Sequence, residues 1–249
     1  MPAKLYSLAL SHPSQAARLM LEHKGIEHQV KDLFPGGHPA QLRLAGFRAG
    51  TVPGLKLDGR RVQGSLAISR ALDEYRGDPP LFPADSAQRR AVEEAEAWGE
   101  AEFQPVPRRM FRWGASRRQS LRVWMARDMG MPAPNVLARA QKPLAHAFAR
   151  MAEVSDERVR ADVAGLPEQL DHVDRLIADG VIGGKQPNAA DFQIATTVRV
   201  FLAYEDLRAL VQPRPAGELA MRLLPRYPGP LPPFLPPEWL AAVRTTVAA

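Results

Sequence analysis

Three prolines in the seven residues Gly77-Asp78-Pro79-Pro80-Leu81-Phe82-Pro83 divide this chain into two stretches with different grammar. Proline fixes φ and removes a backbone donor, so neither a helix nor a central strand runs through such a segment. Upstream, the apolar spacing switches repeatedly between strand-like and helix-like periods. Downstream, only helical spacing recurs. The expected organisation is 1–76 as a first domain, 77–85 as a linker and 86–249 as a second domain. A length of 249 residues gives each part enough chain for a core.

In the first part, Lys4–Leu10 reads as a short buried strand. Ser14–His23 carries Ala17, Met20 and Leu21 at helical spacing and ends near Gly25, and Glu27–Leu33 suits a second strand. Residues 39–46 allow a short helix. Val52–Leu57 and Arg61–Val62 read as strands joined by Asp58-Gly59, a tight-hairpin pair. Ser65 then opens a helix with Ile68, Ala71 and Leu72 on one side. Strand, helix, strand, followed by helix, hairpin, helix, is a thioredoxin-like α/β arrangement of about 80 residues.

The second part reads as all-helical. Asp85 and Gln88 form a capping box at the start of a long helix, which Pro105 and Pro107 should kink or break. Further helices are expected near 118–130, 135–152, 155–179 and from Asn188 to about 211. The run Pro225–Pro237 is polyproline-like and should pack as an extended strap, with a short helix near Glu238–Val247.

Composition removes several chemistries. The chain has no cysteine, which excludes disulfides, thiolate metal sites, iron–sulfur clusters and a cysteine nucleophile. The histidines show no metal-ligand spacing, so no metal is expected. No secretory signal or membrane-spanning stretch is visible, which points to a soluble cytoplasmic protein. The net charge of +6 is concentrated: residues 103–152 hold ten basic side chains and one acid, Asp128. Such a segment suggests an anionic ligand or local ion pairs, with the upstream run Glu93, Glu94, Glu96, Glu100 and Glu102 as partners.

Taken in order, these features resemble the cytosolic glutathione S-transferase superfamily, and its serine-type, theta-like classes in particular. Thr51-Val52-Pro53-Gly54-Leu55 is similar to the family's Val-Pro element, which implies a cis proline and a Val52 backbone that pairs with the cysteinyl part of a bound peptide. Val62-Gln63-Gly64-Ser65-Leu66-Ala67-Ile68 resembles the segment opening the third helix. The resemblance implies that Ser65 and the free N–H groups beside it hold a γ-glutamyl carboxylate. The family usually has Glu or Gln directly before that serine, whereas here Gly64 stands there, with Gln63 one position earlier; the resemblance makes both candidate glutathione contacts together with Val52, Pro53, Ser65 and His38. Gly184 to Asp191 resembles the family's buried N-capping box, with Asn188 accepting from the third amide and Asp191 from the amide of residue 188.

Ser11-His12-Pro13-Ser14 resembles the Ser-x-Pro-x site, which makes Ser11 the candidate thiol-activating group. A plain N-cap role competes for the same hydroxyl. Ser14 is the second hydroxyl at this turn, His12 reads as a solvated loop residue, and Tyr6 is a weaker tyrosine candidate facing the other side of the first strand. His38, after Gly36-Gly37, stands where the family binds the glycyl carboxylate. Arg108, Arg112 and Phe111 are implied contacts for a second substrate. Trp98, Trp113 and Trp124 are core or pocket residues, as are Phe103 and Met110. The resemblance implies glutathione as co-substrate, a small electrophile as partner, and a homodimer, without membrane or nucleic acid. The alternative is a non-catalytic ligand- or partner-binding protein of the same fold, and the arginine-rich segment leaves room for a docking surface.

Overall fold

The computed structural model describes residues 3–227 and 229–245. The first part is built from β1 (Ala3–Ser7), α1 (His12–His23), β2 (His28–Asp32), α2 (His38–Leu44), β3 (Gly54–Leu57), β4 (Arg60–Gln63) and α3 (Ser65–Tyr75). α4 (Ser86–Trp98) follows, and a π-helical turn, Gly99–Phe103, joins it to α5 (Pro105–Arg117). Then come α6 (Gln119–Asp128), α7 (Pro134–Ala140), α8 (Lys142–Met151), α9 (Asp156–Ala178), α10 (Ala189–Ala203), α11 (Arg208–Val211), α12 (Pro215–Leu223) and α13 (Pro237–Thr245). The expected α/β-then-helical architecture is present. The end of the last expected helix, Val247, lies outside the described residues.

Among the described residues the strands form one sheet in the order β2-β1-β3-β4, with β1 and β2 parallel and the other pairs antiparallel. Strand alternation sends Leu5 and Leu55 to one face, where both are fully buried. Tyr6 goes to the opposite face, where it packs with Leu33, Leu42 and Phe47.

The chain divides into two compact units, and the boundary between them does not fall in the proline-rich segment. The first unit comprises Met1–Ala101 and Leu176–Thr197; the second comprises Glu102–Arg175 and Val198–Ala249. The expected linker is a packed part of the first unit. Leu81 and Phe82 are buried, the Leu81 N–H donates to Asp73, and the Leu81 carbonyl accepts from Ala189 N–H. The guanidinium groups of Arg70 and Arg89 lie against the Phe82 ring at 4.7 and 4.9 Å. Three prolines stop regular structure there without making the segment loose.

Other differences have local causes. β1 stops at Ser7 because residues 8–10 turn to place Ser11 ahead of α1, with Ser11 N–H on the Leu8 carbonyl. The expected 135–152 helix is two helices separated at Gln141, with Pro143 in the first turn of the second. The helix from residue 188 ends at Ala203, where Tyr204 turns to pair with Leu231 of the proline-rich tail.

Residues 231–235 of that tail are held within the second unit. Asp206 accepts from the amides of Phe234 and Leu235, and Arg118 donates to the Phe234 carbonyl. In the first unit, the expected capping box at α10 is present in full. Asn188 Oδ1 accepts from the amides of Ala190 and Asp191, and Asp191 Oδ2 accepts from Asn188 N–H at 2.9 Å.

Candidate functional site

Three chain junctions meet at one end of the sheet. Tyr6 faces Gly54 across the β1–β3 pair, and Gly54 faces Gln63 across the β3–β4 pair. The segments just after β1, just before β3 and just after β4 are therefore neighbours: the Ser11 turn, Val52-Pro53 and Gly64-Ser65. α1 and α3 both begin there. Two helix N-termini, each the positive end of a helix dipole, open at the same place.

Ser11 is the N-cap of α1. Its Oγ accepts from the Ser14 N–H at 3.3 Å and from the Ser14 hydroxyl at 3.0 Å. A hydroxyl has two acceptor lone pairs and one proton. Capping engages the lone pairs and leaves the Ser11 proton available to donate, so the two roles weighed against each other in the sequence are compatible. Ser14 is buried with its hydroxyl turned to Ser11, and Gln15 Nε2 ties the turn to the Ala9 carbonyl at 3.2 Å. His12 is not the solvated loop residue expected: it is the first residue of α1 and is buried.

The Val52–Pro53 bond is cis, and the Pro53 carbonyl accepts from the Gly64 N–H at 3.0 Å. Gly64 has φ +91°, a conformation that side chains with a Cβ rarely adopt, and nothing lies within 4 Å of the position a Cβ would take. Backbone conformation, rather than crowding, goes with glycine here. Gln63 is engaged by the loop ahead of Val52. Its Oε1 accepts from Ala49 N–H, while Nε2 donates to the carbonyls of Ala49 and Thr51 at 2.7 and 2.8 Å. Its amide is therefore tied up in positioning that loop, unlike the ligand contact expected of it.

Ser65 is buried, and its hydroxyl donates to Glu100 Oε2 at 2.7 Å. The same oxygen accepts from Gln193 Nε2 at 2.8 Å. The proton expected to meet a ligand carboxylate thus goes to a carboxylate of this chain. Glu100 had a sequence signal only as one member of an acidic run, and Gln193 had none, because their pairing with Ser65 exists only in the fold. His38 opens α2 beyond the end of β2, where Ser7 and Asp32 face each other. Tyr6, the weaker candidate, is buried on the other face of the sheet, edge-on to Phe47 at 5.2 Å.

The arginine-rich segment resolves differently from the expectation. In α5, Arg109 makes two contacts with Asp162, at 2.7 and 2.6 Å, and Asp162 raises its pKa. Arg117 pairs with Asp156, whose carboxyl is held below its usual range chiefly by the Trp113 N–H and then by Arg117. Buried Arg122 donates to the carbonyls of Ala115, Ser116 and Ala138. These cations turn to α9 carboxylates and to carbonyls. Within the acidic run, Glu93 pairs with Arg89, and Glu96 with Arg70. Arg108 lies along its own helix on Gln104, with Phe111 half-buried and Arg112 exposed. Trp113, Phe103 and Met110 are core residues.

Among the described residues, no group of three or more histidine, aspartate or glutamate side chains is arranged to hold a metal ion, and no helix is long and apolar enough to cross a membrane.

Residues 5–80 match the sequence family described as glutathione S-transferase, N-terminal domain. No curated protein matches the chain. Among solved structures, a glutathione S-transferase from Sinorhizobium meliloti 1021 is similar at 21% identity, covering 100% of this chain and 93% of the other, with a TM-score of 0.60. A theta class glutathione S-transferase from Xanthomonas axonopodis pv. citri, solved with glutathione bound, is 20% identical over 88% of this chain and 96% of its own, with a TM-score of 0.57. A beta-etherase from Sphingobium sp. strain SYK-6 is also 20% identical, over 100% and 99% of the two chains, with a TM-score of 0.60. The thioredoxin-like domain followed by a helical region is the glutathione transferase fold.

Proposed function

We propose that this chain binds glutathione and stabilises its thiolate for attack on a small electrophile, with Ser11 as the donor to sulfur. The observation that supports this most is the Ser11 hydroxyl at the N-cap of α1, its oxygen accepting from Ser14 N–H and the Ser14 hydroxyl, at the same end of the sheet as cis-Pro53. An ordinary thiol has a pKa near 8.5, and lowering it by two units requires about 2.7 kcal/mol. One hydrogen bond to a charged group contributes about 1.5–3 kcal/mol, and a helix N-terminus adds roughly 0.3–1 kcal/mol. Ser11 with its helix is sufficient in magnitude.

The rest of the peptide has matching groups. The Val52 backbone next to cis-Pro53 would pair with the cysteinyl residue like an added strand. The first amides of α3 would take the γ-glutamyl carboxylate. Glu100, seated on Ser65, would take the adjacent ammonium rather than a second carboxylate. His38 is assigned to the glycyl end. Phe111, Arg112 and Arg108 of α5 are assigned to the electrophile. The theta class neighbour carries glutathione in its own structure, in line with this reading.

A second reading, ligand or partner binding without catalysis, draws on the same site. The Ser65 proton and the Gln63 amide are engaged internally, leaving fewer side-chain contacts for the peptide. Titrating the ultraviolet absorbance of bound glutathione separates the two. Catalysis requires a bound thiol pKa about two units below 8.5. Binding with an unshifted thiol supports the second reading, and absence of binding at millimolar glutathione overturns both.

A further inference from the structure

The sheet face bearing Tyr6 is separate from the thiol site and carries a concentration of charge that the proposed function does not use. Register sets out the pattern: Lys4 lies between Gln29 and Lys56, Lys56 is followed by Arg61, and Tyr6 is opposite Lys31. No strand position on this face is acidic. The ammonium groups of Lys4, Lys31 and Lys56 come from three different strands and converge on one ring, at 6.0, 5.8 and 5.5 Å from the Tyr6 centroid.

Among the described residues no carboxylate on this face neutralises the three. Among the described residues Lys24 has a carboxylate partner in Asp73, whereas Lys4, Lys31 and Lys56 have none. Asp32 directly follows Lys31 but falls on the opposite face by strand alternation, opposite Ser7, and Glu27 and Asp58 stand beyond the strand ends, before β2 and in the β3–β4 turn. Arg61 is engaged on the Ala45 carbonyl at 3.2 Å. The Tyr6 ring is buried and held by Phe47, so it forms a fixed floor rather than a stacking platform. Placing three like charges around one point raises the free energy of the unliganded face, and an anion seated among them relieves that repulsion.

We propose that Lys4, Lys31 and Lys56 form a binding site for a compact phosphate anion, a phosphomonoester or pyrophosphate group. Lysine is a compact point charge with three donors, suited to oxygens that approach from several directions. Convergence within 6.0 Å of one ring suits a small multiply charged group better than an extended polymer, which needs a stripe of charge. The phosphate can be free or can belong to a lipid headgroup.

Calorimetry with inorganic pyrophosphate at constant ionic strength tests the site, together with amide shifts of β1, β2 and β3 in the full chain. Saturable binding should weaken by about tenfold in Lys31→Gln and further in Lys31→Gln combined with Lys56→Gln. Glutathione affinity, measured in parallel, should not change, so failure here and failure of the proposed function are distinguishable. Vesicles containing phosphatidylinositol phosphate provide the second arm: lysine-dependent binding to them, without binding of soluble pyrophosphate, assigns the phosphate to a headgroup. The proposal is overturned if neither probe binds better than chloride. It is also overturned if the lysine variants bind like wild type, or if a single-stranded oligonucleotide binds while both compact probes do not.

Discussion

Ser14 donates its hydroxyl to the Ser11 oxygen at 3.0 Å, so both acceptor positions of Ser11 are filled from within the first turn of α1. That arrangement fixes the rotamer of Ser11 and leaves one direction for its proton. Glycine at an N-cap costs only a few tenths of a kcal/mol relative to serine, whereas alanine costs about 0.5–2 kcal/mol. Ser11→Gly therefore separates the two roles. Its stability should fall by about 1–3 kcal/mol, because the buried Ser14 hydroxyl loses its acceptor, while the thiol of bound glutathione should return most of the way to about pKa 8.5. A bound thiol still titrating well below that value in Ser11→Gly removes Ser11 from the mechanism.

Glu100 offers a test of the γ-glutamyl end. Glu100→Gln keeps an oxygen to accept from Ser65 and Gln193 but removes the negative charge. Loss of one charged hydrogen bond to the ammonium should weaken glutathione roughly tenfold or more, with the thiol pKa of the bound peptide unchanged. An unchanged affinity would mean that Glu100 only braces α3.

The sequence carried the parts of this site that depend on local backbone chemistry. Val52-Pro53, Ser65 and the Ser11 turn were legible because a turn, a cap and a helix start each have a residue signature within a few positions. The Asn188–Asp191 box was legible for the same reason, since its hydrogen bonds join residues three apart. What escaped is long-range. Glu100 and Gln193 are 93 residues apart and meet on one oxygen, and Arg109 finds Asp162 rather than the glutamates just upstream. Charge runs read along the chain name candidates for pairing, but tertiary packing chooses the partner. The same limit applies to the proline-rich segment at 77–83, where the prolines were visible and the burial of Leu81 was not.

Gly114 in α5 marks a close approach of Phe234 from the proline-rich tail. A Cβ there would lie 2.6 Å from the Phe234 ring and 2.8 Å from Leu121, both buried. Alanine favours a helix over glycine by about 1 kcal/mol, but the overpacking costs about 1–3 kcal/mol. Gly114→Ala should therefore lower the denaturant midpoint. The double variant Gly114→Ala with Phe234→Leu should recover part of that loss relative to Phe234→Leu alone.

His23, at the end of α1, gives stability a pH dependence with a definite sign. Its ring lies 5.4 Å from Phe192, its Nε2 is buried without a hydrogen-bond partner, and burial followed by neighbouring Lys24 lowers its pKa below 6.5. The unfolded chain takes up the proton near 6.5 while the folded chain resists it, so the unfolded state binds more protons just below that pH. Stability contributed by neutral His23 is therefore present above about 6.5 and declines as the pH falls from there toward the lower folded-state value. His23→Phe keeps a ring against Phe192 and removes the titration. His172 is also lowered by burial, so the wild-type slope contains both histidines and the difference between the two proteins isolates His23. Denaturant unfolding across pH 5–7 should show the variant gaining on wild type as the pH drops, and parallel curves would mean that His23 is equally protonated in both states.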